Sequence, residues 1–233
     1  MSKSPPPPRK RAFTLIELLV VIACIFVIAG IAVPAFHRAF ERAKVLKDTN
    51  NLRQIGAATQ LYMNDNSGAF PGSANATWMS QLNPKYLPNW RVFESPFDVR
   101  LSSEKGDATT PVSYGINPNV YVSGVPISAD KITKPVTFIV FSPAQDAGNT
   151  VTFNTLATAT FAAPGVTENA GTSNPGGGAA SGGISDNRTK INALFADWHA
   201  ETMLWRPTNP PGPAFINMSD PGNDSDWQFR WSP

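Results

Sequence analysis

FTLIELLVVIACIFVIAGIAV, from Phe13 to Val33, is a run of 21 residues that carries one charge, Glu17. At about 1.5 Å of rise per residue, a helix of this length reaches roughly 30 Å, the depth of a bilayer's hydrocarbon. Lys3, Arg9, Lys10 and Arg11 precede it, with no acid among them. Basic residues ahead of an apolar run stay on the cytoplasmic side, which places everything after Val33 across the membrane. An ordinary secretory signal has a shorter apolar region closed by a small-residue cleavage site. This run is longer than that, and its end passes into a further helical pattern.

Glu17 is a costly residue in such a place. A carboxylate inside an apolar run is penalised by a few kcal/mol on insertion, which marks it for a function unless it reaches the headgroups. Pro34 follows the run, and a proline within a helix removes one hydrogen bond and tends to bend it. Beyond Pro34 the apolar residues Phe36, Ala39, Phe40, Ala43, Leu46, Leu52, Ile55, Ala58, Leu61 and Tyr62 recur at three- and four-residue steps. That spacing predicts a stripe on a helix running on to about Asn64. Arg38, Glu41, Arg42, Lys44, Lys47, Asp48 and Arg53 are assigned to its other faces. The expected helix is therefore about 50 residues long.

The order Arg9-Lys10-Arg11-Ala12, then Phe13-Thr14-Leu15-Ile16-Glu17-Leu18-Leu19-Val20-Val21-Ile22, closely resembles the signature of type IV prepilins and type II secretion pseudopilins. The family has a basic leader, a small residue before the cut, Phe after it, and Glu as the fifth residue of the mature chain. Ala12 stands where the family usually has Gly. The resemblance implies that a prepilin peptidase of the inner membrane cuts between Ala12 and Phe13 and methylates the new amine on Phe13. It also implies that Glu17 faces a neighbouring subunit's positive N-terminus, so that two charges compensate and one register is favoured. At Pro34 it implies a bend or a locally melted stretch.

Asp65 to Gly72 reads DNSGAFPG and ends the helix on Gly and Pro. Met79 to Leu82 is expected to form a short helix. Pro135 to Ser142, PVTFIVFS, reads as a strand, and Ile191 to Leu204, INALFADWHAETML, as a hairpin turning near Asp197-Trp198. The phrases around Ser95-Pro96, Ser113-Tyr114-Gly115 and Asp197-Trp198-His199 resemble landmarks of a large bacterial set of prepilin-type proteins. There Cys usually stands at the place of Ser95 and Gly at the place of Trp198. Trp198 is thus a departure at a turn that suits Asp-Gly. Residues 162–188, rich in Gly, Ala, Ser and Asn, are expected to form a flexible loop.

Composition excludes several classes. From Gln54 onward there are ten basic and fourteen acidic residues, a net of −4, which disfavours nucleic acid as a partner. The single cysteine, Cys24, lies in the apolar run, so no intramolecular disulfide forms. Asp197, His199 and Glu201 share a strand face, but no nucleophile motif accompanies them and a turn explains Asp197. Gly176-Gly177-Gly178 lacks the Lys-Ser/Thr of a phosphate cradle. Asp220, Asp224 and Asp226 on a Gly-containing stretch suit a hard cation, and they resemble the acidic loop through which major pseudopilins bind calcium. Calcium is accordingly the one cofactor expectation.

These readings converge on an α+β, pilin-like fold: a long N-terminal helix, half in the membrane and half amphipathic, packed on a small antiparallel β-sheet. The expected divisions are a leader (1–12), a membrane-spanning assembly helix (13–33), its amphipathic continuation (34–64), a periplasmic head (65–206) and a Pro/Gly-rich tail (207–233). The expected role is structural, not enzymatic: a subunit of a type II secretion pseudopilus or a type IV pilus-like fibre. Its partners would be the prepilin peptidase, other pilin or pseudopilin subunits and a pilus assembly platform. The alternative is a minor pilin or adhesin-type binding module whose Gly-rich loop and aromatic tail, with Trp227 and Trp231, recognise a secreted substrate or surface ligand.

Overall fold

A computed structural model describes residues 15–72, 77–98, 113–143, 190–205 and 215–216. Among the described residues the first element is one helix, α1 (Leu15–Asp65, 51 residues). A short helix α2 (Trp78–Leu82) follows, and then strands β1 (Tyr114–Ile116), β2 (Tyr121–Val122), β3 (Val125–Pro126), β4 (Ile139–Pro143), β5 (Lys190–Phe195), β6 (Ala200–Trp205) and β7 (Phe215–Ile216). Five strands form one antiparallel sheet in the order β1-β4-β5-β6-β7, and β2 and β3 pair by themselves. The α+β arrangement of a long helix and a small antiparallel sheet is the one expected from the sequence. The chain divides into two compact units, Met1–Arg42 and Ala43–Pro233.

In the second unit the buried face of α1 comprises Asp48, Asn51, Leu52, Ile55, Gly56, Ala58, Thr59 and Met63. These positions recur at three and four residues, as one face of a helix requires. Leu46 and Leu61, assigned to the stripe on their spacing, are exposed, and so are Phe36 and Phe40 in the first unit. Asp48 corrects the reading in the other sense, being fully buried although its charge suggested the solvent side. It precedes Leu52 by four residues and so shares its face.

The helix ends at a left-handed pair, Ser67 (φ 54°) and Gly68 (φ 79°), where the Gly68 N–H donates to the Met63 carbonyl at 2.8 Å. An exposed cluster fastens this end to the following segment. Lys85 Nζ lies 2.8 Å from Asp65 Oδ2, and the Tyr86 hydroxyl donates to the same oxygen at 2.8 Å. Tyr62 meets the Tyr86 ring edge-on, with centroids 5.6 Å apart.

The core lies between the helix and the sheet. Leu52 and Ile55 contribute from α1, Phe138 and Phe141 from β4 and its approach, and Leu194 and Phe195 from β5, all buried. Trp78 packs tilted against Phe141 at 4.9 Å and edge-on to Phe93 at 5.5 Å. Gly56 lets the helix come close to the hairpin. A Cβ built there would fall 2.9 Å from Leu194 Cδ2 and 3.2 Å from Trp198 Cε3.

The hairpin expected over Ile191–Leu204 is β5–β6, with Ala193 opposite Glu201 and Leu194 opposite Ala200. Trp198 takes the left-handed place in its turn, at φ 71°. An L-residue there costs about 1 kcal/mol or more, which the indole's packing against Gly56 offsets. The strand expected from Pro135 begins later, at Ile139. The Lys134 carbonyl accepts from both Thr137 and Phe138 N–H, which makes Pro135–Thr137 a turn.

Candidate functional site

The first half of α1 presents its apolar surface without cover. Leu15 is 80 % exposed, Phe26 74 % and Ile31 74 %. A soluble fold does not leave so much contiguous apolar surface in water. The helix is long and apolar enough to cross a membrane, with a mean hydropathy of 3.0 over its most apolar window. The backbone hydrogen bonds of such a segment close within the helix, so lipid leaves few groups unsatisfied.

Glu17 lies in the first turn of α1, exposed. Pro34 lies inside α1, and the helix runs through it to Asp65 rather than stopping. Because proline has no N–H, the Gly30 carbonyl loses its donor four residues on. Ala12 and Phe13 lie outside the described residues, as do Asp220, Asp224, Asp226 and the 162–188 segment. Among the described residues no group of three His, Cys, Asp or Glu side chains is placed to hold a metal ion.

Acidic and imidazole groups meet at the β5–β6 turn. Asp197 contacts His199 Nδ1 and accepts from the His199 N–H at 3.2 Å, while Glu201 Oε2 stands 3.8 Å from Nε2. The imidazole stacks on Phe195, with centroids 4.2 Å apart and planes 6° from parallel. Asp197 thus holds the turn, the role its position in the sequence gave it.

A buried polar group around Asp48 is what sequence reasoning missed. Asp48 Oδ1 accepts from the Ser95 hydroxyl at 2.5 Å and the Tyr114 hydroxyl at 2.7 Å. Its Oδ2 accepts from Asn192 Nδ2 at 2.6 Å. Asn51, one turn further along α1, donates to the Glu94 carbonyl at 2.9 Å, and Thr202 donates to Asn192 Oδ1 at 2.7 Å. Burial raises the Asp48 carboxyl above its ordinary value, against the three hydrogen bonds that lower it. Burial likewise pushes the Tyr114 phenol well above its usual range, helped by the Asp48 charge. The spacing of Asp48 to Leu52 and Ile55 was the signal available in the sequence.

Against known proteins, the model of the prokaryotic N-terminal methylation motif matches residues 7–33. A fimbrial protein of Neisseria meningitidis serogroup B (strain ATCC BAA-335 / MC58) is 32 % identical over 98 residues, 40 % of this chain and 56 % of the relative. The type IV major pilin protein PilA of Myxococcus xanthus (strain DK1622) is 38 % identical over 58 residues, 25 % of this chain and 26 % of the relative. The chain therefore spans about half the length of the first and a quarter of the second. No solved structure matches. The chain thus carries the prokaryotic N-terminal methylation motif over residues 7–33, and over part of its length it is similar to a fimbrial protein and to a type IV major pilin.

Proposed function

We propose that this protein is a structural subunit of a type IV pilus-like or type II secretion pseudopilus fibre. The observation that carries the reading is the uncovered apolar helix with Glu17 in its first turn, inside the stretch matched by the methylation motif. In this reading the chain sits in the inner membrane with Lys3, Arg9, Lys10 and Arg11 cytoplasmic and its head periplasmic. A prepilin peptidase cuts between Ala12 and Phe13 and methylates the Phe13 amine. The helix then leaves lipid for a bundle of like helices at the assembly platform, where Ala23, Ala29, Gly30 and Ala32 allow close packing. Glu17 compensates a neighbour's N-terminal charge, which removes the penalty of burying either alone.

Intact-mass and N-terminal analysis of protein from native membranes tests this. The expected product begins at Phe13 and carries one added methyl on its amine. A chain still beginning at Met1, or cut beyond Val33, would make the segment a plain anchor or signal and remove the fibre reading.

A further inference from the structure

Asp48 joins four parts of the chain that are far apart in sequence. Ser95 is 47 residues away, Tyr114 66 and Asn192 144, yet all three donate to its two oxygens. Ser95 follows the helical turn Trp90–Phe93, Tyr114 opens β1 and Asn192 lies within β5. Among the described residues, Asp48 is also the first fully buried one along α1. The carboxylate is therefore the point at which the head begins to hold the helix.

The groups that act on this carboxyl are burial and those three neutral donors. Tyr114 is the titratable side chain bonded to it among the described residues, and Asn51 reaches the Tyr114 hydroxyl at 3.3 Å. Asp98, buried in the Ser95 loop, is bonded by the Ser113 hydroxyl. On α1, Lys44 stands 5.9 Å above the Phe97 ring, and Lys47 and Arg53 are exposed. A buried carboxylate compensated by dipoles alone is costly to ionise.

We propose that Asp48 is a proton-sensitive latch between helix and head, holding most tightly in acidic surroundings. A carboxyl whose folded-state pKa lies above its unfolded value of 3.8 stabilises the fold fully below that value. The contribution is lost as pH rises through the raised folded value. The head loosens from α1 as Asp48 ionises, while the hydroxyls of Ser95 and Tyr114 and the Asn192 amide limit the loss.

The test is thermal unfolding of the full chain in detergent micelles between about pH 4 and about pH 8, for wild type, Asp48→Asn and Ser95→Ala. The wild-type midpoint is expected to fall across this range relative to that of Asp48→Asn. Asp48→Asn removes the titrating group, so its excess pH dependence is gone. Ser95→Ala removes a donor to the charged form, so its fall in midpoint moves to higher pH. Infrared spectra give a second readout: a protonated-carboxyl band at acidic pH in wild type that fades as pH rises and that Asp48→Asn lacks. Parallel pH profiles for wild type and Asp48→Asn would overturn the latch. Should Asp48→Asn fail to fold, a Ser95→Ala profile unmoved or moved to lower pH would overturn it equally.

Discussion

Gly56 is the residue on which the seating of the helix depends. No side chain intervenes between its backbone and the Leu194 and Trp198 side chains of the hairpin. Alanine would ask Leu194 to yield by a few tenths of an ångström, and Ala's better helix propensity offsets part of that. A longer side chain finds no room. Gly56→Leu is expected to destabilise the head by about 1–3 kcal/mol through overpacking, read as a lower midpoint in urea unfolding of the full chain in micelles. A midpoint equal to wild type would mean that the helix and hairpin separate freely at this contact. Trp198 shows the same contact from the other side. Its departure from Gly weakened the expectation of a tight turn, yet the turn forms with Trp198 left-handed. What a sequence cannot display is that an indole in a strained turn has a glycine waiting opposite it, 142 residues earlier by number.

At the scale of elements, legibility followed the range of the interactions. The helix and the β5–β6 hairpin were readable because their signals are local: an unbroken apolar run, a three-and-four-residue repeat, and two apolar strands around a short turn. Which side of α1 is buried was less readable, because Leu46 and Leu61 match the apolar pattern as well as Leu52 does but face solvent. The burial of Asp48 depends on partners up to 144 residues away, and no local window contains them. Pro34 makes a prediction at this scale. Its ring leaves the Gly30 carbonyl without a helical donor, and a proline inside a helix costs about 3 kcal/mol. Pro34→Ala should restore that bond and slow amide hydrogen exchange over residues 30–38 by about tenfold or more in micelles, leaving the melting of the head unchanged. Unchanged exchange would mean that the first half of α1 is already as tightly bonded as an uninterrupted helix.

Across the whole molecule, the chain combines a helix long and apolar enough to cross a membrane with a head that has its own aromatic core. Each part satisfies its own physical requirement, so an error in one need not unfold the other. Glu17 separates these roles most cleanly. As a carboxylate in the first turn of an apolar helix, it makes insertion slightly harder, by a few kcal/mol at most near the interface. Its removal should therefore leave membrane insertion intact or improve it. In a fibre the same group would face the amine of the next subunit, and a helix without it would bury that amine uncompensated. Breaking a buried pair in this way costs about 3–5 kcal/mol, enough to lower incorporation by two powers of ten or more. Glu17→Ala is thus expected in membranes at wild-type level, with the head's unfolding unchanged, and nearly absent from sheared fibres. Incorporation equal to wild type would remove the charge pairing and leave packing of the apolar helices as the sole source of register. Loss from the membrane fraction would instead make Glu17 a determinant of insertion.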